Sequence, residues 1–374
     1  MRKYVAALAV MFMSHAAFAM DTEAKQAIVV DDSTNTVLFE KNADERMHPS
    51  SMSKLMTVYI AFSRLKDGSL KLTDMLPVSE KAWRVQGSKM FVELGNRISV
   101  EDLLQGIIVQ SGNDACMVMA EGLAGSEEGF VAQMNDMAKK LGLTNSHFAN
   151  PDGLSDPNHL MSARDLATLA HHIIHDFPEY YHYFSEKEFE YHHIKQGNRN
   201  LLLYKNTGFD VDGLKTGHTD EGGYGMVSSG KDSAGRRVIV VVNGLSNIRI
   251  RGEESERLLD FGFRDFTDVK AFKAGDVIEK ANVWFGEQEQ VGLTTAQDLE
   301  LTLPKAGRDN VKFTITYDDN IPAPVTKGDH VADLKITLPS GSVKVVPLVA
   351  AESVDKLHGF HRITRALMYY VSGK

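Results

Sequence analysis

The stretch His48-Pro49-Ser50-Ser51-Met52-Ser53-Lys54-Leu55-Met56-Thr57 decides how the rest of the chain is interpreted. If a helix begins near Ser51, then Ser51 and Lys54 share one face of it, and the hydroxyl can meet the amine. Because of this spacing, we interpret Ser51 as a nucleophile and Lys54 as its base. The free N–H groups at a helix start also suit an oxyanion, which the product of such a nucleophile carries. The pattern is weak alone, since Ser-x-x-Lys occurs four times, at Ser51, Ser63, Ser228 and Ser353.

Composition sets the broad class of the protein. The 374 residues suffice for two or three domains, and 43% hydrophobic with 24% charged residues is typical of a soluble globular protein. A formal net charge of -9 argues against a nucleic-acid partner. Cys116 is the only cysteine. It excludes an intrachain disulfide and a zinc site built on cysteine pairs, and we expect it to be a small buried residue.

The first residues predict an export signal. Arg2 and Lys3 precede a short apolar run at 4–13, and Ala17-Phe18-Ala19 matches a small-x-small cleavage site. We therefore expect residues 1–19 to be a signal peptide and the mature chain to begin at Met20. The run is too short for a comfortable transmembrane helix, although an uncleaved anchor is the alternative.

Periodicity and turn residues predict an α+β first domain over 20–267. Ser99 and Asp102 resemble a capping box in front of a helix at 100–109. Because strands from both ends of this region flank a helical middle, we expect one antiparallel sheet with helices on both sides. Its predicted strands are 27–30, 36–39, 211–218, 224–229 and 237–242, and its other predicted helices are the Ser51 helix, 115–141, 162–175 and 253–263.

The carboxy-terminal part of the sequence has a different pattern, with short β-rich runs between turn residues. Five β-rich runs between turn residues predict a small all-β domain over 268–350, and they lie at 282–285, 299–303, 311–317, 332–338 and 343–348. Residues 352–374 return to helical spacing with several basic side chains. This pattern predicts an amphipathic helix over 351–374 that lies on a membrane surface, with a packed terminal helix as the alternative. We expect truncation after Ala350 to yield a soluble, active protein.

Three short patterns follow one another along the chain: Ser51-x-x-Lys54, Ser111-x-Asn113 and Lys215-Thr216-Gly217. Together they resemble the active-site set of penicillin-binding proteins and serine β-lactamases. The flanking residues are similar to those of the low-molecular-mass D-alanyl-D-alanine carboxypeptidases, and they are Gln110-Ser111-Gly112-Asn113-Asp114-Ala115, Asn198-Arg199-Asn200 and Asp212-Gly213-Leu214-Lys215-Thr216-Gly217-His218-Thr219. The resemblance covers nearly the whole mature chain and implies a DD-peptidase/β-lactamase-like fold.

The resemblance implies a division of roles. Ser51 attacks the substrate, Lys54 takes its proton, and Ser111 relays a proton to the departing amine. Lys54 needs a lowered pKa, from burial or from a cation such as Lys215. The other implied roles are substrate binding by Asn113, Lys215, Thr216, Gly217, His218 and Arg251, with the backbone N–H groups of Ser51 and His218 forming the oxyanion hole.

The same resemblance implies removal of the terminal D-alanine from peptidoglycan pentapeptides at the periplasmic face of the inner membrane. It also implies covalent inhibition by β-lactams, and neither a cofactor nor a metal. The alternatives are a β-lactamase, a DD-endopeptidase and a non-catalytic cell-wall scaffold. His171-His172-x-x-His175, followed by Asp176, has metal-like spacing, but exposed histidines on a helix are favoured. Arg251 fits a structural ion pair as well as a ligand clamp.

Overall fold

The structure, a computed structural model, describes residues 6–7, 20–306, 310–317, 321–338 and 343–359. The expected signal peptide lies outside these residues apart from β1 (Ala6–Ala7), a two-residue strand. The chain divides into two compact units, Ala19–Arg264 and a second unit of Asp265–Lys374 with Met1–Phe18.

The first unit is built on a five-stranded antiparallel sheet of order β3-β2-β10-β9-β8. Its central strands β2 and β10 are almost continuously Val, Ile and Ala, which is typical of strands covered on both faces. The amino-terminal hairpin thus joins the late strands, as predicted. The strands of this unit are β2 (Gln26–Asp31), β3 (Thr36–Lys41), β4 (Met75–Pro77), β5 (Arg97–Ser99), β6 (Glu188–Tyr191), β7 (Ile194–Gly197), β8 (Asp210–Thr219), β9 (Gly223–Lys231) and β10 (Arg237–Leu245).

Helices cover both faces of this sheet. On one face, Ile28, Ile239 and Val241 pack into the larger core with residues of six helices, α1 to α6. On the other face, Val29 and Val240 pack with residues of α7. The helices are α1 (Lys54–Lys66), α2 (Glu80–Arg84), α3 (Val100–Ile108), α4 (Asn113–Ala124), α5 (Glu127–Lys140), α6 (Ala163–Asp176) and α7 (Ile248–Asp265), with 3₁₀ helices at Ser50–Ser53, Tyr181–Ser185 and Leu201–Tyr204.

Helix ends follow local chemistry, and one predicted helix was wrong. The Ser99 hydroxyl accepts from the Asp102 N–H at 3.1 Å, which confirms the predicted cap of α3. The predicted single helix over 115–141 is two helices. Gly125 has a φ of +78° and ends α4, and the Ser126 hydroxyl then accepts from the Gly129 N–H to begin α5.

The second unit is all-β, as predicted. A seven-stranded sheet has the order β1-β15-β17-β18-β13-β12-β16, and β11 pairs with β14. The five predicted runs are strands. The strands Gln290–Thr295 and Ile321–Pro322 were missed, and the predicted boundary near 266–270 lies within a further strand, Phe266–Phe272. The strands are β11 (Phe266–Phe272), β12 (Glu279–Trp284), β13 (Gln290–Thr295), β14 (Leu299–Pro304), β15 (Lys312–Thr316), β16 (Ile321–Pro322), β17 (His330–Thr337) and β18 (Val343–Ala350).

The beginning of the predicted terminal helix is not helical. Residues 352–358 are irregular, because Val354 is buried in the β-rich core and its N–H donates to the Val325 carbonyl at 2.8 Å. The periodicity at Val354 therefore reflects packing in the β unit. Residues 360–374 lie outside the described residues. Within the described part of the chain, no helix combines the length and the apolar character needed to cross a membrane.

Candidate active site

The Ser51 hydroxyl and the Lys54 amine meet at the start of α1. Ser50–Ser53 is a 3₁₀ helix, in which residues three apart lie directly above one another, and Lys54 Nζ is 2.9 Å from Ser51 Oγ. Lys54 is fully buried. Its amine also donates to Asn113 Oδ1 at 2.7 Å and to the backbone carbonyl of Asp152. Two carbonyl oxygens therefore hold the amine against the serine.

Contacts with strand β8 place the turn that carries Ser51. A side chain at Gly217 would lie 2.8 Å from the Pro49 carbonyl oxygen and 3.1 Å from Ser50 Cβ, so only glycine lets the turn pack this closely. Beside it, the hydroxyls of Ser50 and Thr219 are 2.9 Å apart. Packing against this turn is thus one reason for a glycine at position 217. The sequence interpretation gave Gly217 only a role in the approach of the substrate.

The turn between α3 and α4 brings Ser111 and Asn113 to the same place. Ser111 adopts a φ of +60°, and the Asn113 amide donates to the Gln86 carbonyl at 2.7 Å while its oxygen accepts from Lys54. Next to it, the buried Asp114 carboxylate accepts from the N–H groups of Met90, Phe91 and Val92 at 2.9 to 3.1 Å. Asp114 therefore holds the 90–92 segment, a role that sequence reasoning missed.

Lys215 reaches the site from β8. Its buried amine donates to Ser111 Oγ at 2.8 Å and to the Thr216 carbonyl at 3.1 Å. The residues of all three sequence patterns are therefore linked in pairs, Ser51 with Lys54, Lys54 with Asn113, and Lys215 with Ser111.

Burial sets the protonation of these amines. Loss of hydration lowers the pKa of Lys54, and the Arg199 charge lowers it further, against the opposing effect of nearby acidic groups. Burial also lowers the pKa of Lys215 well below its usual value, and the charges of Lys54 and Arg199 add to this. A charge on Lys54 thus disfavours a proton on Lys215. Cys116 is fully buried, as expected, and burial raises the pKa of its thiol to about 12.

Ser51 and Ser111 face one cavity of about 490 Å³. Its predicted lining residues are Ser51, Ser111, Thr216, Gly217, His218 and Arg251, and sequence reasoning gave no role to Ser88, Leu201, Tyr224 and Ile248, which also line it. Arg199 lines the cavity as well; it appeared in the sequence only as part of a family-like motif. Lys54, Asn113 and Lys215 lie behind the wall formed by the two serines.

Two arginines give this cavity a positive side. Arg251 is 5% exposed, and burial lowers its pKa to about 10. Its guanidinium lies 5.9 Å from the centre of the Tyr224 ring, which stacks on His218. Arg199 donates to the Ser88 hydroxyl at 2.6 Å. Within the described residues neither arginine forms an ion pair with a carboxylate, so Arg251 does not have the structural ion pair that the sequence left open.

Comparisons with known proteins agree with this arrangement. The D-alanyl-D-alanine carboxypeptidase family model matches residues 12–247, and the penicillin-binding protein 5 C-terminal domain matches residues 266–356. The D-alanyl-D-alanine carboxypeptidase DacC of Escherichia coli is 40% identical over 92% of this chain and 88% of the relative.

Solved structures give the same result. Penicillin-binding protein 5 from Haemophilus influenzae superposes with a TM-score of 0.82 at 37% identity, over 91% of this chain and 100% of that chain. Penicillin-binding protein D2 from Listeria monocytogenes, in its ampicillin-bound form, has a TM-score of 0.59 at 29% identity and covers 66% of this chain and 99% of that chain. The family match, the near full-length relatives and the shared two-unit fold show that the chain belongs to the D-alanyl-D-alanine carboxypeptidases, the low-molecular-mass penicillin-binding proteins.

Proposed function

We propose that the protein is a serine carboxypeptidase that removes the terminal D-alanine from peptidoglycan pentapeptides through an acyl-enzyme on Ser51. The observation that carries this proposal is the 2.9 Å contact between a cavity-lining hydroxyl and a fully buried lysine amine. A serine hydroxyl needs such a base to become a nucleophile.

The contacts of Lys54 explain how its amine acts as that base. A neutral amine has two N–H donors and one lone pair. The two donors are satisfied by Asn113 Oδ1 and the Asp152 carbonyl, so the lone pair is directed at the Ser51 hydroxyl. Burial keeps the amine neutral at a lower pH than an exposed lysine would allow. The proton of Ser51 therefore moves to Nζ as Oγ attacks the carbonyl carbon of the scissile peptide bond.

The leaving group and the oxyanion have their own partners in this proposal. The Ser51 and His218 N–H groups stabilise the negative oxygen of the tetrahedral intermediate. The Ser111 hydroxyl accepts from Lys215 and passes its own proton to the D-alanine amine, which then leaves. The proton that Lys54 took from Ser51 replaces it on Ser111, so Lys54 is neutral again. Water attacks the acyl-enzyme in the second half of the reaction, with Lys54 again as base.

The terminal carboxylate of the substrate matches the positive side of the cavity. Arg251 lines the cavity and Lys215 lies behind Ser111, and a bound carboxylate would stabilise both of these buried cations. The Thr216 hydroxyl offers a further hydrogen bond. A carboxylate in this position raises the pKa of both cations. The site therefore favours a substrate with a free carboxylate next to the scissile peptide bond.

Ser51 acylation is tested by mass spectrometry of the protein after incubation with penicillin. We expect the adduct on Ser51, and we expect Ser51→Ala to lose both the adduct and D-alanine release. Ser63→Ala is the matched control, because Ser63 also starts a Ser-x-x-Lys pattern but lies on α1 and donates to the Tyr59 carbonyl. Continued D-alanine release by Ser51→Ala would refute the mechanism.

Two further assays separate the alternatives. Rapid multiple turnover of a chromogenic β-lactam would indicate a β-lactamase instead. Product analysis on cross-linked muropeptides would reveal an endopeptidase. Stable acylation by β-lactams is expected here, and the ampicillin-bound Listeria structure supports it for a related fold.

We also propose that the mature protein works at the periplasmic face of the inner membrane, held there by its carboxy-terminal segment. The apolar run at 4–13 and the basic, periodic sequence after residue 352 support this proposal. The test is truncation, and the cut belongs after Gly359 rather than Ala350, because Val354 is part of the β-rich core. We expect the full chain in the membrane fraction and the truncated chain, still active, in the soluble fraction. Membrane binding by the truncated chain would contradict the anchor.

A further inference from the structure

Three metal-ligating side chains converge away from the Ser51 cavity. His171 and His175 lie one turn apart on α6, and Asp32 follows strand β2. His171 Nδ1 is 2.8 Å from Asp32 Oδ1, and His175 Nε2 is 3.0 Å from Asp32 Oδ2. The ligand atoms of all three residues lie within 4.8 Å of one another. Two histidines and a carboxylate thus share one small space.

These distances are those of hydrogen bonds, and they are also close to the separation between two ligands of one metal ion. Two ligand atoms that each lie about 2.1 Å from Zn²⁺ are about 3.0 Å apart at a right angle and about 3.4 Å apart at the tetrahedral angle. The observed separations of 2.8 and 3.0 Å need only small side-chain adjustments to reach these values. Imidazole nitrogen and carboxylate oxygen are ligands that zinc accepts.

The carboxylate of this cluster is buried, and its two imidazoles are partly exposed. The Asp32 side chain is 5% exposed, while those of His171 and His175 are 30% and 49% exposed. The Asp32 carboxylate is therefore held within the protein. The partly exposed histidines leave one side of the cluster open to solvent, through which an ion and its water ligands can enter. A buried carboxylate that faces two imidazoles and has an open side is a built site rather than a scatter of surface groups.

The neighbouring histidine has a different partner. His172 Nδ1 is 3.1 Å from Asp176 Oδ2, which also accepts from the Tyr59 hydroxyl at 2.8 Å. The sequence interpretation saw Asp176 as the carboxylate next to the histidines and favoured a helix without a metal. Asp32, 139 residues before His171 in the chain, is the carboxylate that the fold supplies.

The cluster is remote from the catalytic groups. The Asp32 N–H donates to the carbonyl of Arg237, the first residue of β10. Lys215 and Thr216 of β8 lie, across β9, at the level of Val241 and Val242 in β10, four to five residues further along that strand. Four to five residues of strand separate the two levels, which corresponds to about 15 Å. A ligand on Asp32 is therefore independent of Ser51 acylation.

We propose that Asp32, His171 and His175 bind one divalent transition-metal ion, with Zn²⁺ as the ion that this donor set favours. The ion joins α6 to the end of β2, with water completing its coordination. Because these ligands converge only when α6 packs on the sheet, binding stabilises the folded first unit.

The experiment uses the full chain without a histidine tag, freed of metal by a chelator and titrated with zinc chloride. We expect one saturable equivalent by calorimetry and a thermal midpoint that rises by at least about 3 °C at saturation. Cobalt(II) in place of zinc should give a visible absorption band at the same stoichiometry. His175→Gln should weaken binding at least tenfold, and His172→Gln, on the same helix and with similar exposure, should bind as the unchanged chain does.

The outcomes are decisive in either direction. Loss of the zinc equivalent and of the thermal shift in His175→Gln, with D-alanine release unchanged, supports the site and shows that the variant is folded. An absence of saturable binding, or equal binding by His175→Gln and His172→Gln, overturns it and leaves hydrogen bonds between Asp32 and the histidines only. Asp32→Asn with His171→Gln provides a second variant for the same comparison.

Discussion

Replacement of Gly217 by alanine should move the nucleophile without touching it. The new Cβ would lie 2.8 Å from the Pro49 carbonyl oxygen, and ordinary contact begins at 3.4 Å, so the turn must retreat by about 0.6 Å. An overpacked core of this kind costs about 1–3 kcal/mol of unfolding free energy. A displacement of 1 Å at a reacting group costs on the order of a hundredfold in rate, so we expect acylation of Ser51 to slow by roughly ten- to a hundredfold.

The assay is the second-order rate of acylation by a fluorescent penicillin, followed together with urea unfolding. Gly252→Ala is the matched control, because a Cβ at Gly252 in α7 meets nothing within 4 Å. That variant should acylate at the normal rate and be slightly more stable, since alanine favours a helix. If Gly217→Ala loses stability yet acylates normally, the contact is real but does not position Ser51. If both quantities are unchanged, the packing argument is refuted.

Three other predictions follow from groups described in the structure. The acylation rate should rise with pH through the lowered pKa of Lys54 and level off below pH 10.5; a rate that keeps rising to pH 10.5 in a stopped-flow profile would contradict a neutral amine. Burial lowers the pKa of His159 from 6.5 to about 4. Between these two pH values the imidazole is protonated in the unfolded chain but not in the folded chain. Stability should therefore fall by roughly 3 kcal/mol between pH 7 and pH 4 through this group. Urea unfolding of His159→Gln should show a flatter pH dependence than that of exposed His147→Gln, and parallel curves would exclude this origin. Ser126→Ala removes the cap of α5 and should cost about 1 kcal/mol in the same assay; an unchanged midpoint would show that the cap is not needed.

The parts of the site that were predictable depend on local spacing. Ser51 and Lys54 are three residues apart, so a helical turn alone brings them together. Ser111 and Lys215 are separated by 104 residues, and only the family resemblance joined them before the structure did. The Asp152 carbonyl could not be found in this way, since a backbone oxygen carries no mark in the sequence. Its contact with Lys54 depends on the path of a loop 98 residues away.

The errors in the fold have equally local causes. The break between α4 and α5 was signalled by Gly125 and Ser126, but the apolar period continues across them and dominated the interpretation. In the tail, Val354 fits both a helical period and a buried position in a β core, and periodicity alone cannot separate the two. Tertiary packing decided each case.

The position of β2 in the sheet has a kinetic consequence. It is the earliest long strand of the chain, yet its partner β10 follows about 210 residues later, with Val29 opposite Val240. Such non-local pairing makes the sheet one of the last features that can form, because the intervening loop must close first. A chain interrupted before Arg237 leaves the apolar edge of Ile28-Val29-Val30 without its neighbour. Incomplete chains should therefore aggregate or be degraded rather than fold stepwise from the amino terminus.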